Sequence, residues 1–127
     1  MNKKRINGRQ KGARGERWVA NWLTAHGFKA ERAARIGVKG GEDIKCDCLD
    51  GRLHIEVKFR EDVKLGTKAL KDALSQSYEA APDVEPCVIW KNNRGPLCLS
   101  YYDDGWVATV AGDEAVAGWL TKYKEVK

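Results

Sequence analysis

Leu53, Ile55, Val57 and Phe59 interleave with His54, Glu56, Lys58 and Arg60. Successive side chains point to opposite faces of a strand. The pattern therefore predicts a strand over 53–59 with one aliphatic face and one charged face. Just upstream, Ile44, Cys46 and Cys48 alternate with Asp43, Lys45 and Asp47. This predicts a second strand over 44–49, paired with the first as a hairpin through the turn Asp50-Gly51-Arg52. A different period precedes both. Val19, Ala20 and Leu23 follow Glu16 at helical spacing and share its face. They predict a helix from about Gly12 to His26, closed by Gly27. Residues 28–33 read as the first strand. A second helix is predicted over 67–80, with Ala69, Leu70, Ala73, Leu74 and Ser77 inward, ending before Pro82. Strands are expected at 87–91 and 97–101 around the turn signal Asn92-Asn93-Arg94-Gly95, and a further extended run at 106–110 after Asp103-Asp104-Gly105. A last helix from about Asp113 to Lys124 carries Val116, Trp119, Leu120 and Tyr123.

This order predicts an α/β fold, with a central mixed five-stranded sheet (28–33, 44–49, 53–59, 87–91 and 97–101) flanked by helices. At 127 residues the chain is expected to form one domain over 1–127, with residues 1–10 as a flexible basic arm.

The charged faces carry candidate chemistry. Asp43 and Glu56 supply carboxylate oxygens, which suit a hard divalent cation. Lys58 stands two residues beyond Glu56, on the same face, where a lysine can hold a water as the ammonium or deprotonate it as the neutral amine. Together these groups are a minimal kit for metal-assisted phosphodiester cleavage. Glu16 sits on the helix stripe that should turn toward the sheet. Two readings of it stand: a first-turn acid that complements the helix dipole, or a buried carboxylate that must be paired or metal-bound.

With those residues in place, the chain resembles the PD-(D/E)XK nuclease superfamily. Lys11-Gly12-Ala13-Arg14-Gly15-Glu16-Arg17, the Gly40-Gly41 loop before Asp43, and Ile55-Glu56-Val57-Lys58 together are similar to the archaeal and phage type of Holliday junction resolvase. The resemblance covers roughly residues 10–90. Glu42 stands where the superfamily pattern has proline, and Asp47 is an additional acid. Asp43 is favoured as the ligand because it follows the Gly-Gly loop at the start of its strand.

The resemblance implies a restriction-endonuclease-like core. It also implies catalytic roles for Glu16, Asp43, Glu56 and Lys58. Mg²⁺ (or Mn²⁺) would be held by Asp43, Glu56, Glu16 and the backbone carbonyl of Val57. Related nucleases often carry a glutamine or tyrosine in the second helix near the site, which makes Gln76 a weaker candidate. The implied activity is resolution of four-way junctions by paired symmetric nicks, which needs a homodimer with two sites. Two alternatives remain open from the sequence. One is a general, nicking or restriction-like endonuclease of the same superfamily, and the other is a non-catalytic nucleic-acid-binding protein. Compact nucleases of this kind occur in viruses and mobile elements.

Charge sharpens the picture. Residues 1–60 hold 15 Lys/Arg against 7 Asp/Glu, whereas residues 61–127 hold 8 against 11, within a net charge of +5. Lys3, Lys4, Arg5, Arg9, Lys11, Arg14 and Arg17 crowd the N-terminus, and Arg35, Lys39 and Arg60 lie beside the candidate site. Such a basic face suits a phosphate backbone. The alternative for the arm is a solubilising tail. Cys46, Cys48, Cys87 and Cys98 show no zinc-like spacing with His26 or His54, so reduced, buried thiols are expected. No run approaches the ~20 apolar residues of a membrane span, and an intracellular, soluble protein is expected. Trp106, Trp119 and Tyr102 are expected in the core or at a dimer seam.

Overall fold

The computed structural model describes residues 8–32, 44–46, 49, 53–60, 67–80, 82–92 and 94–123. Their elements, in chain order, are α1 (Gly8–Ala25), β1 (Ala30–Arg32), β2 (Ile44–Cys46), β3 (Leu53–Arg60), α2 (Thr67–Ala80), β4 (Glu85–Asn92), β5 (Cys98–Asp103), β6 (Trp106–Ala111) and α3 (Asp113–Thr121).

α1 begins four residues earlier than its apolar period indicates. Gln10, Lys11, Ala13 and Arg14 are good helix formers and carry the helix through Gly12. Residues 8–10 are therefore helical rather than part of an arm. The helix ends where Gly27 adopts φ 88°. Phe28 N donates to Leu23 O at 2.9 Å and Gly27 N to Thr24 O at 3.1 Å. This double closure satisfies carbonyls that the helix end would otherwise orphan.

β3, β4, β5 and β6 form a mixed four-stranded sheet in that spatial order. β3 and β4 run parallel, with Ile55 opposite Cys87 and Glu56 opposite Val88, and α2 makes the crossover between them. β4–β5 and β5–β6 are antiparallel. The β5–β6 turn places Asp104 at φ 50° and Gly105 at φ 84°. Positive φ at both central positions is the type I′ hairpin turn, which the Asp-Gly pair tolerates.

The expected five-stranded sheet is replaced, among the described residues, by this four-stranded sheet and a separate two-stranded one. β2 pairs antiparallel with β1, Ala30 opposite Cys46 and Arg32 opposite Ile44, and not with β3. The chain turns sharply after β2, with Leu49 N donating to Cys46 O and Leu53 N to Leu49 O. β3 then takes its ladder from β4 along its whole length, and β6 adds the fourth strand. The Asp50-Gly51-Arg52 turn lies outside the described residues.

The four-stranded sheet is covered on both faces. On one face Ile55, Cys87, Ile89 and Leu99 pack with Val19 and Leu23 of α1 and Val116 and Leu120 of α3. On the other, Val88 packs with Leu70, Ala73 and Leu74 of α2. β4 feeds both faces, which is why Cys87-Val88-Ile89 reads as a continuous apolar run. Cys46, Cys87 and Cys98 are buried free thiols, as expected. Trp119 joins the core and Tyr102 is half-buried, but Trp106 is 79% exposed.

Candidate nuclease site on β3

Glu56, Val57 and Lys58 lie at the middle of β3, an edge strand of the four-stranded sheet. Alternation sends Val57 and Phe59 toward α1, where Phe59 meets Trp18 with ring centroids 5.4 Å apart. The α1 backbone comes so close here that a Cβ on Gly15 would sit 3.1 Å from Phe59 Cγ. Glu56 and Lys58 point to the opposite, α2-facing side, and both are half-buried. The strand therefore has the one-sided distribution that its sequence predicts.

Glu16 is only 6% exposed, in line with the buried Val19, Ala20 and Leu23. Its Oε1 accepts from Arg32 Nε at 3.1 Å, an ion pair in which the arginine is 48% exposed. The carboxylate is thus paired, which answers the cost of burying it on an apolar stripe. Sequence reasoning did not single out Arg32. Only the β1–α1 packing reveals it, because sixteen positions separate the partners.

Glu56 has a neighbour that spacing alone hinted at. His54 Nδ1 stands 3.8 Å from Glu56 Oε1. The same nitrogen is 2.6 Å from Ser77 Oγ of α2. Ser77 was visible in the sequence as a polar residue in an otherwise apolar stripe. That signals a buried hydroxyl in need of a partner. Gln76, the weaker candidate, is exposed on α2.

The remaining candidates divide clearly. Arg14 and Arg17 are exposed on α1, and Arg9 and Lys11 lie within the same helix. Arg60 ends β3. Asp43, Asp47, Lys3, Lys4, Arg5, Arg35 and Lys39 lie outside the described residues. Among the described residues no three His, Cys, Asp or Glu groups are gathered as a metal cage. The described donors are two carboxylates, Glu16 and Glu56, whose hard oxygens suit Mg²⁺ or Mn²⁺ and not a soft-ligand metal. Burial pushes the Cys87 thiol far up from its ordinary range, with Glu85 and Glu56 adding in that order, so this cysteine is an inert core residue.

The site thus stands on the edge strand of a mixed sheet packed between helices, with Glu56 and Lys58 on its α2 side and Glu16 on α1 at the other face. No family model and no curated protein matches the chain. Among solved structures it is similar to Hjc, a Holliday junction resolvase from the archaeal hyperthermophile Archaeoglobus fulgidus. The two share 25% identity with a TM-score of 0.52, over 84% of this chain and 100% of that one.

Proposed function

We propose that this protein is a metal-dependent endonuclease that resolves four-way DNA junctions by paired nicks. The observation that carries the reading is the likeness to the archaeal resolvase along that protein's whole length. The disposition of Glu56 and Lys58 on one half-buried face of β3 supports it.

In this reading Glu56, Asp43 and the Val57 carbonyl would hold Mg²⁺ or Mn²⁺ at the β3 edge, with Glu16 of α1 completing the shell around that edge, directly or through water. The ion, when bound, polarises the scissile phosphate and stabilises the leaving oxygen. Lys58 orients the attacking water and, as a cation on the face of Glu56, offsets carboxylate charge that would repel the phosphate. Arg32 holds Glu16 by its Nε. Arg14 and Arg17 on the exposed side of α1, with the basic residues before it, contact the DNA backbone. Two symmetric cuts imply a homodimer, with one site per protomer. The working place of such a protein is inside the cell with DNA. No helix of the described residues is long and apolar enough to cross a membrane. The likeness is to an archaeal protein and gives no support to a viral source.

The test is cleavage of a labelled immobile four-way junction and its matched linear duplex, with Mg²⁺ and with EDTA, by wild type and Glu56→Ala. Paired symmetric nicks in the junction alone are expected. They should vanish in EDTA and fall by several orders of magnitude in the variant, with junction binding retained. Equal cutting of both substrates moves the function to a general endonuclease. Tight binding without any metal-dependent cutting leaves a binding protein.

A further inference from the structure

His54 is 2% exposed, and Ser77 opposite it on α2 is fully buried. Ser77 Oγ lies 2.6 Å from His54 Nδ1 and 3.2 Å from the backbone carbonyl of the same histidine. A carbonyl only accepts, and a serine hydroxyl has one proton to give. Ser77 therefore donates to the carbonyl, and its oxygen accepts from Nδ1–H. These two bonds fix both the rotation of the ring and the position of its proton. The same Nδ1–H stands 3.8 Å from Glu56 Oε1, outside hydrogen-bond range. Since its proton is directed at Ser77 Oγ, the ring meets that carboxylate as an anchored neighbour and not as a donor. The Glu56 side chain is only 15% exposed, so the anchored ring limits the space open to it.

The other inward residues of α2 are Leu70, Ala73 and Leu74. A serine among them contributes little to apolar packing. What it adds is direction: it ties one side chain of β3 to the helix that covers the same face of the sheet. Position 54 is two residues before Glu56, so the anchored ring and the carboxylate share a face.

We propose that Ser77 and His54 form a latch that holds the Glu56 carboxylate in its working orientation. His54 is then a positioning residue, acting through Glu56 and not on substrate. The proposal rests on the reading of Glu56 as a site carboxylate. Polar partners behind a ligand characteristically tune metal affinity by about 10–100-fold.

The experiment compares wild type, Ser77→Ala, His54→Leu and His54→Asn, each checked for folding by circular dichroism. Long-range ¹H–¹⁵N spectra read the two histidine rings, with His26→Gln for assignment. A proton on Nδ1 of His54 is expected, and a ring protonated on Nε2 alone overturns the latch. Calorimetric titration with Mn²⁺, without DNA, gives the second readout. Ser77→Ala and His54→Leu should weaken Mn²⁺ binding about tenfold. His54→Asn, whose amide N–H takes the place of Nδ1–H, should recover most of the loss. Unchanged Mn²⁺ affinity in folded Ser77→Ala overturns the proposal, and so does failure of asparagine to rescue folded protein. Wild type that binds Mn²⁺ but cuts no junction defeats the nuclease reading and leaves the latch to stand on the titration. Wild type that binds no Mn²⁺ defeats both.

Discussion

The two faces of the four-stranded sheet are built on different principles. The face under α1 and α3 is aliphatic: Ile55, Ile89 and Leu99 meet Val19, Leu23, Val116 and Leu120 in one large cluster. The face under α2 has a small apolar patch, Leu70, Ala73, Leu74 and Val88, set among hydrogen-bonded polar groups. There His54 bonds Ser77, Trp90 Nε1 donates to Ser100 Oγ at 2.9 Å, Ser100 meets Thr109 at 2.7 Å, and Ser75 meets the Tyr102 hydroxyl at 3.1 Å. Apolar burial is non-directional and scales with area, so the first face supplies stability. Hydrogen bonds add little net stability but fix angles. The second face therefore supplies geometry, and it is the face that carries Glu56 and Lys58.

The largest expected effect tests that division directly. Leu99 and Leu74 are both fully buried leucines, one on each face. Leu→Ala costs about 2–5 kcal/mol, depending on how far the surroundings collapse into the space left. Leu99→Ala should fall near the top of that range and Leu74→Ala near the bottom, measured by urea unfolding. Equal losses would break the comparison.

A smaller effect probes the Arg32–Glu16 ion pair on the aliphatic side. Arg32→Ala removes a partner of a buried carboxylate. It should cost on the order of 1–2 kcal/mol, less than a fully buried pair because the arginine is half exposed. Glu16→Gln in the same background should return most of the loss. If Arg32→Ala is neutral in thermal unfolding, the pair contributes only to the site.

The smallest effect is a dependence on alkaline pH. Burial raises the Cys87 thiol above its ordinary range, and burial, with Glu85 next, raises the Tyr123 hydroxyl. The unfolded chain then loses these protons before the folded one does. The Cys87 contribution is fully present below the ordinary thiol value of about 8.5 and declines as pH rises past it, by at most about 1.4 kcal/mol per pH unit, while the more exposed Tyr123 adds a smaller decline only from about pH 10. Urea midpoints between pH 7 and pH 10 should show the decline, with a shallower slope in Cys87→Ala. An identical slope in that variant would remove Cys87 as a cause.

Much of this architecture is legible residue by residue. The α1 stripe of Glu16, Val19, Ala20 and Leu23 is buried as its period predicts, and α2 spans the predicted residues. β3 separates aliphatic from charged side chains because alternation is a local property of an extended backbone. The Gly27 stop and the Asp104-Gly105 turn follow from the φ values that those residues tolerate. Pairing was not legible in the same way. Strand 44–46 and strand 53–60 are neighbours in sequence and were expected to form a hairpin, yet β2 pairs with β1, and β3 with β4 across the α2 crossover. Periodicity reports which face of an element is apolar. It does not report which of several competing ladders the backbone joins.

The same limit applies to the candidate site. From the sequence alone came its ionisable groups, their faces, the basic N-terminal half and the apolar stripes, because each depends on neighbours a few residues away. Only the tertiary structure decided that Arg32 pairs with Glu16, that Ser77 and not Gln76 turns toward β3, and that His54 is held beside Glu56. The Arg32–Glu16 and Ser77–His54 contacts join residues 16 and 23 positions apart. They form only when helix packing closes that distance, and no local period in the chain encodes the closure.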